Sequence, residues 1–287
     1  IENHIGRLKQ GGFVLCDEEL KLEEEKVSKL PLKLIAKAVG NPRTFGTVAL
    51  GAALKLFGIK LEASKEIFSQ MFEKSEVFEQ NYLALTEGYK LTEKNFYIEP
   101  DGVENNLLIN GNQAIGLGAI AAGCKFYSAY PMTPSTSIMD YLASKMQEAE
   151  IVVEQAEDEI AAIMMAIGAS YAGVRSMTGT SGGGFSLMVE AVGLSGMMEI
   201  PLVIAEIQRP GPTTGLPTRT EQSDLKFVIS ASQGEFPRMV IALRNPEDAF
   251  FQTIRAFNLA DKYQIPVILM GDQYLADYTT TTRPFDL

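Results

Sequence analysis

The stretch from Ile151 to Gly184 restricts the possible folds more than any other part of the chain. Three β-branched residues, Ile151, Val152 and Val153, lead into four acids, Glu154, Glu157, Asp158 and Glu159. An uncharged run from Ile160 to Gly173 follows. It is apolar or small on every side, so a helix there is expected to lack a solvent face and to be buried all round. A second short strand is expected over Val174 to Thr180, breaking at Ser181-Gly182-Gly183-Gly184. Strand, acids, buried helix, strand and glycine turn make a β-α-β unit with its acids at the start of the helix. Free backbone N–H groups favour an ionised acid there, whereas an apolar cavity pushes a carboxyl pKa up. Glu159, last of the four and beside the apolar run, stands to feel the second effect. Four ordinary first-turn acids remain the other reading.

From Leu107 onward the alternation is regular. Apolar strands are expected at Leu107–Asn110, Lys125–Tyr130, Ile151–Gln155, Val174–Thr180, Leu202–Ile207, Met239–Leu243 and Pro266–Met270. Helices are expected between them at Gln113–Gly123, Ser135–Glu148, Glu157–Tyr171, Phe185–Met198 and Glu247–Tyr263, the last with Asn245 as cap and Pro246 in its first turn. Strands this apolar, alternating with helices, predict a doubly wound α/β fold with a parallel sheet covered on both faces. Ligands bind such sheets beyond the carboxyl ends of the strands. Those ends are Tyr130–Ser137, Gln155–Glu159, Thr180–Gly184 and Gln208–Arg219.

The part before Leu107 is more charged and helix-rich, with a small-residue helix expected at Gly46–Phe57 and an amphipathic one at Ser64–Lys74. Val77–Leu91 is expected to extend the second, and Asp17–Lys26 is an acid-rich surface segment. The expected division is 1–97 as the back of a first domain, 98–106 as linker, 107–275 as the sheet domain and 276–287 as the start of a further linker. Both ends are expected to be cut from a longer protein.

A net charge of -11 and a pI near 4.8 make nucleic acid or an anionic membrane an unfavourable partner. No apolar run reaches the ~18 residues of a membrane span, and a soluble, cytoplasmic protein is expected. The two cysteines, Cys16 and Cys124, cannot supply the thiolates of an iron–sulfur cluster or structural zinc. His4 is the single histidine, so acid–base work falls to carboxylates or a cofactor.

Tyr130-Pro131-Met132-Thr133-Pro134-Ser135-Thr136-Ser137 ends one strand and starts one helix. Thr133 is placed to cap that helix with Pro134 in its first turn, and such a start can also hold an anion. Read alone, a well-built cap without a ligand explains the residues better. The loop from Gln208 to Arg219 is stiff with prolines and carries Arg209, suited to a carboxylate; a solvent-exposed connection is the alternative. Gly116 to Ala121 fits a loose dinucleotide pattern, but its glycines fall inside a helix and no acid ends the next strand. Close helix packing accounts for them better.

Taken together, Tyr130–Ser137, the Glu157-Asp158-Glu159 helix with its Thr180–Gly184 turn, and R-P-G-P-T-T-G-L-P-T-R-T-E-Q-S-D-L from Arg209 resemble the alpha subunit of the 2-oxoacid:ferredoxin oxidoreductases. Residues 1–97 resemble, more weakly, the later part of the gamma domain often fused ahead of it. The resemblance implies a thiamine-diphosphate pyrimidine-binding domain and oxidative decarboxylation of a 2-oxo acid to an acyl-CoA, with electrons passed to ferredoxin. It implies that Glu159 faces the aminopyrimidine and is able to hold a proton, that Pro131 lies against the cofactor, and that Thr133 and Arg209 contact the substrate. Thr218 is a candidate for reading the side chain of the oxo acid, with 2-oxoglutarate or branched-chain acids favoured. A substrate role for Thr133 competes with its capping role. The family's beta subunit supplies Mg²⁺, the diphosphate site and iron–sulfur ligands, so activity is expected only in a complex with it and with coenzyme A as cosubstrate. A non-catalytic assembly module of the same fold is the alternative.

Overall fold

The computed structural model describes residues 5–21, 27–72, 74–93, 96 and 105–286. The chain forms two compact units, 1–102 and 103–287. Most of the expected linker, 98–104, and His4 lie outside the described residues.

In the first unit, strands β1 (Val14–Asp17) and β2 (Val27–Leu30) pair in parallel, which the sequence did not suggest because each is only one turn of alternation long. Helices α1 (Leu32–Ala38), α2 (Phe45–Leu56), α3 (Ala63–Met71) and α4 (Ser75–Tyr89) follow, so the segment expected to extend Ser64–Lys74 is a helix of its own. Helices α2 and α4 meet backbone to backbone. A Cβ on Gly51 would overlap the Leu85 carbonyl, and one on Gly88 the Val48 carbonyl.

The second unit contains β3 (Leu107–Ile109), α5 (Gly111–Ala121), β4 (Phe126–Ala129), α6 (Thr136–Ser144), α7 (Met146–Ala149) and β5 (Val152–Gln155). It continues with α8 (Glu159–Tyr171), β6 (Ser176–Thr180), α9 (Gly182–Met197), β7 (Leu202–Gln208) and α10 (Leu225–Ser230). Last come β8 (Met239–Ala242), α11 (Pro246–Tyr263), β9 (Pro266–Asp272), α12 (Gln273–Asp277) and β10 (Thr280–Thr282). Six strands form one parallel sheet in the order β5-β4-β6-β7-β9-β8.

Alternation along β7 shows how the faces are divided. Val203, Ala205 and Ile207 join the core under α5, α6 and α11, while Leu202 and Ile204 join the core under α8, α9 and α10. Right-handed crossovers account for that division: steps toward β5, or back from β8 to β9, place their helices on the first face, and steps the other way place theirs on the second. The order departs from the simple flavodoxin type at the far edge, where β9 inserts between β7 and β8.

Three expectations need correction. Leu107–Asn110 does not join the parallel sheet; β3 pairs antiparallel with β10 instead. The tail expected to be a linker therefore packs back on the unit, and Phe285 stacks on Phe250 at 4.3 Å. Helix α8 is not buried all round, because Ile160 is 51% exposed, Tyr171 74%, and Met164 is exposed between them. Its buried stripe is Glu159, Ala162, Ile163, Ala166, Ile167 and Ser170, an ordinary helical face. The close-packing reading of Gly118 is correct: a Cβ there would lie 2.5 Å from the Phe250 carbonyl oxygen of α11.

Candidate active site

The chain reverses direction at β4. The path out to β5 leaves on one side, and β6 returns on the other, opening a crevice at the carboxyl ends of β4 and β6. Four structural parts converge there: the turn after β4, the start of α8, the start of α9 and the loop after β7.

The turn after β4 is fixed by hydrogen bonds the sequence did not reveal. Asn112, buried in the first turn of α5, donates its Nδ2 to the Pro134 carbonyl at 2.7 Å and to Ser137 Oγ at 2.8 Å. The backbone N–H and the hydroxyl of Ser135 both donate to the Met132 carbonyl. Thr133 does not cap α6, which starts at Thr136 with Ser135 before it and no side-chain cap. The Thr133–Pro134 peptide is cis, and the Thr133 side chain is exposed. The competition between capping and a contact role is thereby removed.

At the start of α8 the four acids separate. Asp158 is the N-cap, accepting from the Ala161 N–H at 2.7 Å, so the helix begins two residues later than expected. Glu154 and Glu157 are exposed, while Glu159, first residue of the helix, is 4% exposed. Among the described residues no donor bonds its carboxyl.

Ser181 to Gly184 is not a break before α9. Gly182, Gly183 and Gly184 are its first three residues. Each missing side chain leaves room for a different neighbour. A Cβ on Gly184 would lie 2.7 Å from Glu159 Oε1 and overlap Thr180 Oγ1; one on Gly183 would meet the Thr213 carbonyl at 3.3 Å; one on Gly182 would overlap Asp224 Oδ2. The glycines therefore let a carboxyl from α8 and a long loop close on the amino end of α9, where helix N–H groups favour negative charge.

The loop from Arg209 to Asp224 turns sharply on Gly215, whose φ is +60° and whose missing Cβ would overlap the Pro210 carbonyl. Its outgoing end is anchored by Arg209 Nη1, which donates to the Thr133 carbonyl at 2.5 Å. Arg209 is 7% exposed and its Nε is buried without a partner among the described residues. Burial draws its guanidinium below the ordinary arginine value, and the nearby Glu159 carboxylate acts the other way.

Glu159, Arg209 and Thr133 thus lie together, and Pro131 is half-buried in the turn between β4 and Thr133. The sequence sets Glu159 beside an apolar run, and the structure adds the Arg209 guanidinium close to it. Thr218 is not brought to them. It is exposed and lines a shallow recess of about 400 Å³ with Arg219, Tyr274 and Tyr278.

Fold and site together define a doubly wound α/β domain with a buried acid and a buried guanidinium at the carboxyl ends of its parallel strands, where sheets of this kind bind ligands. Residues 117–286 match the family described as pyruvate flavodoxin/ferredoxin oxidoreductase, thiamine diphosphate-binding, and residues 1–91 match pyruvate ferredoxin/flavodoxin oxidoreductase. The chain belongs to the thiamine diphosphate-binding pyruvate flavodoxin/ferredoxin oxidoreductase family. It is 41% identical over 271 residues to a 2-oxoacid:ferredoxin oxidoreductase alpha subunit of Sulfurisphaera tokodaii, covering 90% of this chain and 42% of that one. It is 47% identical over 165 residues to the 2-oxoglutarate synthase subunit KorA of Methanothermobacter thermautotrophicus, covering 58% and 44%. The solved 2-oxoglutarate:ferredoxin oxidoreductase of Magnetococcus marinus, with 2-oxoglutarate, coenzyme A and succinyl-CoA bound, superposes with a TM-score of 0.84 at 37% identity, over 99% of this chain and 52% of that one. The chain thus spans about half the length of these relatives.

Proposed function

We propose that this chain forms half of the active site of a thiamine-diphosphate-dependent 2-oxo acid:ferredoxin oxidoreductase, which decarboxylates a 2-oxo acid oxidatively to its acyl-CoA and passes the electrons to ferredoxin. The names of the relatives favour 2-oxoglutarate among 2-oxo acids. The observation that carries the reading is Glu159: a buried carboxyl at a sheet reversal, bonded to no donor among the described residues, with a buried guanidinium close by. Such a group is costly to keep unless something else completes it. An aminopyrimidine nitrogen fits that need.

Bound there, thiamine diphosphate would supply the carbanion chemistry by which a 2-oxo acid loses carbon dioxide. Glu159 would hold or move the proton at the ring nitrogen, with its position set by Gly184 and Thr180. Pro131 would present the apolar wall of the β4 turn to the ring. Arg209 would grip the substrate carboxylate through its free Nε and second amino group, since Nη1 is already held by Thr133. The exposed Thr133 hydroxyl would bond the substrate. Thr218 could read the far end of the substrate only from the neighbouring recess, so gripping is assigned to Arg209 and Thr133.

The Mg²⁺ and diphosphate site and the iron–sulfur cluster are assigned to a beta subunit. This chain's two cysteines are buried, one in each unit. Ile160, Met164 and Tyr171 on α8, with Leu187 and Met197 on α9, offer apolar surface for that partner to cover. An assembly module without catalysis is a poorer reading, because an assembly role gives no reason to bury Glu159 near Arg209 and leave the buried Arg209 Nε without a partner.

Glu159→Gln in the full subunit, assembled with its beta partner, tests the reading. Turnover measured as viologen reduction with 2-oxoglutarate and coenzyme A is expected to fall by roughly 10²- to 10⁴-fold while the complex still assembles. Wild-type turnover in that variant would refute the assignment.

A further inference from the structure

Strand β7 carries an acid where its neighbours are apolar. Glu206 is 0% exposed and points to the same face as Leu202 and Ile204, among α9 and α10. Neither of its carboxyl oxygens is met by a hydrogen-bond donor among the described residues. The group within hydrogen-bonding reach is the carboxyl of Asp224, whose Oδ2 is also buried and without a donor. Beside it stand the uncharged side chains of Thr180 of β6, Met270 of β9, Phe185 of α9 and Val228 of α10, and the Glu159 carboxyl of α8 approaches the same Thr180 hydroxyl across Gly184. Burial, then the charge and hydrogen bond of Asp224, push Glu206 well above the ordinary carboxylate range. Two adjoining carboxyls in such a place can satisfy their oxygens by holding a proton between them.

Asp224 also occupies a telling place in the chain. It ends the loop that Arg209 begins, and its backbone N–H donates to Gln208 Oε1 at 3.0 Å, while Gln208 Nε2 donates to the Gly271 carbonyl. One residue pair earlier, Gln222 Nε2 donates to Asp272 Oδ2 at 2.6 Å. The loop therefore leaves β7 at Arg209 and is tied back to the end of the same strand. Space over Gly182 receives the Asp224 carboxyl.

We propose that Glu206 donates a shared proton to the Asp224 carboxylate, and that this buried bond clasps the returning end of the Arg209 loop, making Glu206 a positioning residue for 2-oxo acid binding. The role rests on Arg209 as the substrate grip. Loss of the proton would leave two like charges in contact, release the loop end and weaken the hold on substrate without altering the chemistry at Glu159.

The linkage sign follows from the raised value. Between the ordinary glutamate value near 4.5 and its higher folded value, Glu206 holds its proton in the folded chain and has lost it in the unfolded one. Its contribution to stability is therefore complete below 4.5 and declines as pH rises through that window.

The full subunit with its beta partner provides the test, read three ways in wild type, Glu206→Gln and Glu206→Ala. Infrared spectroscopy at neutral pH should show a protonated-carboxyl band in wild type that disappears in E206Q. KM for 2-oxoglutarate should rise on the alkaline side in wild type with kcat little changed. E206Q should abolish that rise, because its amide donates to Asp224 at every pH, while E206A raises KM about tenfold throughout. Thermal stability of E206Q should lack the decline with pH. A missing infrared band, or an E206Q variant that keeps the wild-type alkaline rise, overturns the proposal. If E206A fails to fold, the infrared band and E206Q decide. Arg209→Ala separates the underlying reading: normal substrate saturation in that variant with the infrared band intact would sink the role of Arg209 and, with it, the positioning role of Glu206, while leaving the shared proton standing.

Discussion

Gly184→Ala is the most discriminating single change the structure suggests, because it should separate catalysis from stability. The added methyl would start 2.7 Å from Glu159 Oε1 and 2.8 Å from its Cγ, and would overlap the Thr180 hydroxyl. Ordinary contact begins near 3.4 Å. The Glu159 oxygen would therefore retreat by about 0.7 Å, a shift that a side-chain end can make where a backbone cannot. Gly184 sits in the first turn of α9, where alanine is the better helix former by at most about 1 kcal/mol. Crowding costs about 1–3 kcal/mol, so the net loss of stability should not exceed about 3 kcal/mol. Catalysis is less forgiving, since a 1 Å misplacement can cost about 100-fold. The expected result is kcat for 2-oxoglutarate down roughly 30- to 100-fold, with the subunit still folded and assembled with its partner. Wild-type kcat in a well-folded G184A protein would show either that Glu159 has no proton to place or that its position does not matter. Both outcomes would refute the reasoning.

Arg209→Lys keeps the charge but loses the forked geometry that holds Thr133 and leaves Nε free, so kcat/KM for the 2-oxo acid should drop by about 10- to 100-fold, mainly through KM. Unaltered saturation kinetics would rule out a bidentate grip. Asn245→Ala removes the side-chain acceptor for the Asp248 N–H at the start of α11, and denaturant unfolding should show a loss of about 1 kcal/mol with kinetics untouched. A change in KM there would mean that the far helix is coupled to the cleft.

Much of this architecture was legible because its signals are local. Apolar runs of strand length and the Asn245-Pro246 start of α11 were read directly, and both appear in the structure. The resemblance in the Arg209 loop led to the family. What escaped depends on residues distant in sequence. Asn112 pins partners 22 and 25 residues further on, and nothing in Gly111-Asn112-Gln113 announces it. The pairing of β3 with β10 joins segments separated by most of the second unit. Ser181 to Gly184 reads as a break because glycine is a poor helix former, yet the three glycines open α9 and each has a close neighbour that a side chain would meet. Other signals were present and misjudged. Asp158 stands three residues before the amide it caps, which already places Glu159 at the first helical position. A lone Glu206 inside Leu-Val-Ile-Ala-Glu-Ile-Gln was an anomaly that could have been marked from the residues alone.

The uncovered side of α8 also governs how the polypeptide behaves when handled by itself. Ile160, Met164 and Tyr171 form a strip that water wets poorly, and a net charge of -11 is what keeps such strips on neighbouring molecules apart. Salt screens that repulsion, and sulfate strengthens the attraction between the strips. Dilute buffer should therefore hold the isolated subunit in solution and concentrated ammonium sulfate should drive it into clusters, the reverse of a protein whose contacts are ionic.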